Sequence, residues 1–215
     1  MKTLKLTLLA LLLAFTAKAQ NADQYAKAMK DGLIMLDSAK TSAQFLQTAN
    51  YFERIAEAEQ KQWLPQYYAG FGNLIAAVLG QQSNDEKDAL YDKALAYAEK
   101  ASLIMPANSE IEVLKGYTTF MKMAVDPQHR AFGMIPKANS FLEKAIRLNP
   151  ENPRAYLVKG QNTFYTPEAF GGGKIKAKKI LILATEKYAK ETTTGLEPSW
   201  GRSRCAVLLK LCDQD

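Results

Sequence analysis

The chain has 215 residues, 28 lysines and arginines against 22 carboxylates, a formal net charge of +6, one histidine and two cysteines. A lone histidine cannot build a histidine-rich metal set, and the weak basic excess lacks the basic blocks and interleaved aromatics of a nucleic-acid binder. The length suits one domain with a sizeable core, or one repeat array.

The chain opens on MKTLKLTLLALLLAFTAKAQ. Lys2 and Lys5 precede an apolar run from Leu6 to Phe15, and Ala17 and Ala19 flank Lys18. That layout predicts a signal peptide over 1–19, cut after Ala19 and directing export to the periplasm or beyond the cell. The run is about half the roughly 20 apolar residues that a bilayer span needs, so no membrane span is expected. Losing these residues with their three lysines lowers the net charge to +3.

From there the chain repeats. Gly72, Gly116 and Gly160 are 44 residues apart, as are Pro106 and Pro150. Ala94 and Ala101 recur as Ala138 and Ala145, and the same seven-residue pair stands at Ala49/Ala56 and Ala177/Ala184. Alanines seven apart share one helix face, where a small side chain lets a neighbouring helix approach. Stretches such as DALYDKALAYAEKASLI and IPKANSFLEKAIRL carry helical apolar periodicity and end at a proline,. Asn or Glu-Asn follows and can cap the next helix. No alternating run predicts a strand. The expected fold is all-α, built from antiparallel helix pairs.

KAIRLNPENPRAYLVKG, through Ala145, Pro150, Tyr156 and Gly160, resembles the junction of two tetratricopeptide repeats. KASLIMPANSEIEVLKG follows it through Ala101, Pro106 and Gly116, with Glu112 where an aromatic is usual, and WLPQYYAGFG through Tyr68 and Gly72. The resemblance covers roughly residues 45–190. It implies a right-handed α-solenoid with units near 22–62, 63–106, 107–150 and 151–190, and a capping helix over 197–212. The family's repeat is about 34 residues. The longer period here therefore predicts lengthened loops between the two helices of a unit, near GQQSNDEKD and VDPQHRAFGM.

TPEAFGGGKIKAKK occupies the same turn in the last unit. A phosphate loop needs a preceding strand and Ser or Thr after the lysine, whereas Ile175 stands there,. The three glycines predict a turn. A weaker reading lets Gly171, Gly172, Gly173 and Lys174 hold an anion at a helix N-terminus.

The other chemistry-bearing residues offer little. His129 is expected as an exposed loop residue, and Asp85, Glu86 and Asp88 as a solvated helix start. Cys205 and Cys212 would lie about 10 Å apart along one helix, too far for a disulfide, and two thiols are favoured over a pair. Trp200 and Gly201 are read as packing under the terminal helix.

In tetratricopeptide arrays the first helix of each pair lines a groove for extended peptides. Carried over by register, the resemblance implies Gln66, Asn73, Tyr117, Phe120, Arg154, Gln161, Phe164 and Tyr165 as groove residues. The expected function is a non-catalytic adaptor or assembly factor that binds a protein or peptide segment, with no cofactor and no metal. The alternative is a periplasmic small-molecule or anion binder that serves a transport system.

Overall fold

A computed structural model describes residues 23–192 and 195–214; the expected signal peptide lies outside them. The described residues form nine α-helices and one short 3-10 turn, with no strand. Helix α1 covers 23–38. It is followed by α2 (Ser42–Ala58), α3 (Trp63–Leu79), α4 (Asn84–Ile104), α5 (Ser109–Met123), α6 (Pro127–Leu148), α7 (Pro153–Tyr165), the 3-10 turn Glu168–Phe170, α8 (Lys174–Lys190) and α9 (Arg202–Cys212). No described helix is long and apolar enough to cross a membrane.

Local chemistry starts these helices. Thr41 with Gln44 and Ser83 with Glu86 close capping boxes at α2 and α4,. Asn108 and Asn152, 44 residues apart, cap α5 and α7 through their side-chain oxygens,. Pro127 and Pro153 stand in first turns, where a missing N–H costs nothing,.

Successive helices pack closely: α2 on α3, α3 on α4, α5 on α6 and α7 on α8, with α5 also touching α3 and α7. The periodic glycines sit at these contacts. A Cβ on Gly116 would come within 2.8 Å of Leu142 and 3.1 Å of the Ala138 carbonyl; one on Gly160 would come within 2.7 Å of Leu181. In the first unit the task is divided: Gly72 meets Ala49 of α2, and Gly70 meets the Ala94 carbonyl of α4. The heptad alanines 94, 98, 101, 138, 145, 177 and 184 are fully buried.

The long period does not lengthen loops. Most of the expected insert residues are helix: α4 and α6 run for 21 and 22 residues, residues 80–83 are all that separates α3 from α4, and Ala124, Val125 and Asp126 all that separates α5 from α6. Proline and glycine in PQHRAFGMIP read as a loop, yet Pro127 begins the helix and Pro136 is tolerated inside it. The terminal helix starts at Arg202, after Gly201 at φ 107°, and not at 197. Residues 195–201 run instead as an irregular strap back to α3. Within it Trp200 stacks on Phe71 at 4.8 Å and on Tyr117 at 6.2 Å, and its indole N–H donates to the Tyr67 hydroxyl. Tyr68 donates to the Leu196 carbonyl at 2.7 Å, and Tyr188 to that of Trp200 at 3.0 Å.

Candidate functional site

An apolar cleft of about 570 Å³ opens between the start of α6 and the corner joining α7 to α8. Pro127, Ala131, Phe132 and Ile135 form one wall; Tyr165, Pro167 and Phe170 form the other, over a floor at Met123. Phe132 is 98 % exposed, Phe170 72 % and Tyr165 53 %. Large apolar side chains held this far into water, and gathered in one concave site, mark a binding surface.

Each wall has a local cause. The underside of α6 is anchored where Ala131, Met134 and Ile135 pack on Phe120, Met123 and Ala138. Phe132 takes no part in that packing and stands in water beside it. Pro136 has no N–H for the Phe132 carbonyl four residues earlier, so the helical ladder is interrupted at the cleft,. Arg130 grips the Asp88 carboxylate with both terminal nitrogens at 2.6 Å and also donates to the Lys122 carbonyl at 3.0 Å. The Arg130 hydrogen bonds hold the Asp88 carboxyl below its usual range. Asp88 is therefore an anchor, not part of a solvated helix start. His129 lies in the first turn of α6 with Nδ1 2.9 Å from Asp126, and that hydrogen bond lowers the Asp126 pKa.

The second wall is the glycine turn. The Gly171, Gly172 and Gly173 amides already donate to the carbonyls of Glu168, Pro167 and Thr163. Lys174 reaches the Gln214 carbonyl at 2.6 Å, and Lys176 that of Gly171 at 3.2 Å. The anion cradle expected at 171–174 is thus spent on holding the turn. Gly171 and Gly173 have φ of 87° and 107°. A Cβ at Gly172 would lie 1.9 Å from the Thr166 carbonyl, so the glycines let the chain double back and present Phe170,.

The groove expected on α3, α5 and α7 is largely closed. Asn73 is fully buried and donates to Glu53 of α2 at 3.1 Å; Gln66 donates to the Ala56 carbonyl at 3.4 Å. Tyr117 is covered by Trp200, and Phe120 packs under α6. Arg154 is paired with Glu110 at 2.9 Å and Glu191 at 2.6 Å, and Gln161 accepts from Arg204 at 3.0 Å. Burial acts to lower the Arg154 pKa, but the Glu110 carboxylate more than offsets it and holds the guanidinium charged. Phe164 packs toward the cluster of Leu157, Leu181 and Tyr188. Tyr165 alone of the eight borders the cleft. The physical reason is shared cover: α2 takes Gln66 and Asn73, α6 takes Phe120, α9 takes Gln161, and the strap closes over Tyr117.

Neither a family model nor a curated protein matches the chain. A solved structure does: the HusA haemophore from Porphyromonas gingivalis, at 32 % identity and a TM-score of 0.79, over 87 % of this chain and 92 % of that one. The chain belongs to the HusA haemophore family.

This membership overturns the peptide-binding adaptor expected from the repeats, because the HusA relative is a haemophore. It favours the alternative, a small-ligand binder, and the buried groove residues agree with that correction. Sequence reasoning missed Phe132, Phe170, Met123 and Ile135. A signal was there: Ala131-Phe132-Gly133 and Ala169-Phe170-Gly171 place the same tripeptide, Ala-Phe-Gly, in the two stretches that face each other across the cleft.

Proposed function

We propose that this protein is an exported, non-catalytic haem carrier that holds the porphyrin in the cleft between α6 and the α7–α8 corner. The observation that carries this reading is the pair Phe132 and Phe170, both strongly exposed and lining opposite walls of one apolar cleft. A porphyrin is flat, aromatic and apolar on both faces, so it gains area and ring stacking from such walls. The cleft volume lies within the roughly 300–1,000 Å³ usual for small-molecule sites. The likeness to a haemophore supports the same ligand class. We further propose that the helix pairs follow one another as a right-handed solenoid of tetratricopeptide type, which would place the cleft at the edge of the unit formed by α5 and α6.

Titration of hemin into the mature protein, followed by visible absorbance, tests the assignment. Saturable one-to-one binding is expected, weakened at least tenfold, or by about 1.4 kcal/mol, in a Phe132→Ser, Phe170→Ser double variant that remains helical. Hemin binding left intact by both substitutions would move the site elsewhere. Absence of binding by the wild type would overturn the function.

A further inference from the structure

We propose that the ion pair between Asp88 and Arg130 is the positioning device of the cleft, fixing the first turns of α6 so that Phe132 stands opposite Phe170. This rests on the haem reading above and adds to it a pair of residues outside the cleft wall. The first half of α6 needs such a device. Only Ala124, Val125 and Asp126 connect it to α5, Asp126 makes no side-chain cap, and Pro136 breaks the backbone ladder at Phe132 itself. Gly133 lies between them with nothing within 4 Å of where its Cβ would be. Left to its backbone, this segment is the least restrained helical turn beside the cleft.

Arg130 supplies the missing restraint from two residues before Phe132. Its planar fork meets both Asp88 oxygens, and one nitrogen also holds the Lys122 carbonyl at the end of α5. Three elements, α4, α5 and α6, thereby meet at one guanidinium. The pair is well shielded, with side chains 26 % and 20 % exposed, so it is stiffer than a surface ion pair,. Lys122 pairs with Asp92 one turn further along α4, which ties the end of α5 to the same acidic edge. A ligand held between two walls is sensitive to displacement of either, since small misplacements of a binding group forfeit much of its contact. The apolar contacts of Ala131, Met134 and Ile135 fix the depth of α6, while the fork fixes its rotation and tilt.

The test compares hemin affinity of wild type, Asp88→Asn, Asp88→Glu and Arg130→Lys, well below their melting temperatures and with full helicity confirmed for each. Asp88→Asn is expected to bind about tenfold more weakly. Arg130→Lys keeps the charge but loses the fork and should fall nearly as far, whereas Asp88→Glu should recover most of the affinity. Hydrogen exchange of 127–135 should quicken in Asp88→Asn and Arg130→Lys and stay slow in Asp88→Glu. Wild-type affinity in fully folded Asp88→Asn overturns the positioning role and leaves the haem reading standing. Absence of hemin binding by the wild type removes both.

Discussion

Trp200 donates its indole N–H to the Tyr67 hydroxyl at 2.8 Å, across 133 residues of sequence. The same ring stacks on Phe71, so one residue near the C-terminus completes the aromatic cluster of α3. Trp200→Ala removes the ring and strands a buried hydroxyl, and should cost about 3–5 kcal/mol, the range for large aromatic truncations. Chemical denaturation measures it. A loss below about 1 kcal/mol would mean that the strap lies on the fold without supporting it.

Two glycines one turn of chain from very different neighbours should respond with opposite sign. Gly116→Ala pushes a methyl into Leu142 and the Ala138 carbonyl, and should destabilise by about 1–3 kcal/mol. Gly133→Ala meets nothing within 4 Å in the interior of α6, and should stabilise by roughly 0.5–1 kcal/mol through backbone entropy. Thermal melts of both variants decide the matter; a stable Gly116→Ala would refute the close-packing role of the 44-residue period.

Two carboxylates should give opposite pH profiles. The Arg130 hydrogen bonds lower the Asp88 pKa from 3.8, so its stabilisation is complete above that value and lost as pH falls through the folded one,. Burial raises the Glu110 pKa above 4.5 despite the Arg154 pairing, so its contribution is fullest below 4.5 and declines as pH rises through the folded value,. Urea unfolding at stepped pH should therefore show the gap between wild type and Asp88→Asn closing in strong acid. Glu110→Gln should flatten the decline above 4.5. A profile that instead rises there would reverse the sign assigned to Glu110.

Cys205 and Cys212 share one face of α9 as free thiols, the first buried and the second partly exposed. Burial raises both pKa values, and the Thr185 hydroxyl acts against it only at Cys205. Alkylation of the native protein at mildly alkaline pH should modify Cys212 well before Cys205, and Cys212→Ser should leave the melting temperature unchanged. Equal rates at the two thiols would show that α9 opens readily.

The fold was legible wherever one residue type carries one physical consequence. Alanines at heptad spacing, glycines at 44 and asparagines two residues after the helix-ending prolines each dictate a local outcome, and each appears in the described helices. Boundaries failed where proline is ambiguous: Pro127 and Pro136 look like loop residues, yet the first starts a helix and the second is carried by its packing. The candidate site was legible only as a glycine turn and Tyr165. Six of the eight groove residues are buried, and nothing local to α3, α5 or α7 announces that α2, α6, α9 and the strap will cover them. Phe132 and Phe170 were missed for the converse reason, since periodicity finds residues that pack and these do not.

The strap also bears on how the chain acquires its structure. A row of helix hairpins that touch only their neighbours can form in the order of synthesis, each unit settling as it emerges. Here Tyr67, Tyr68 and Phe71 wait for Leu196 and Trp200, so the second quarter of the chain finishes its core only after nearly the whole polypeptide has been made. That long loop closure converts a piecewise process into a concerted one: a truncated chain ending before the strap would expose its central aromatic cluster, and quality control in the cell would meet an unfinished core rather than a shorter array.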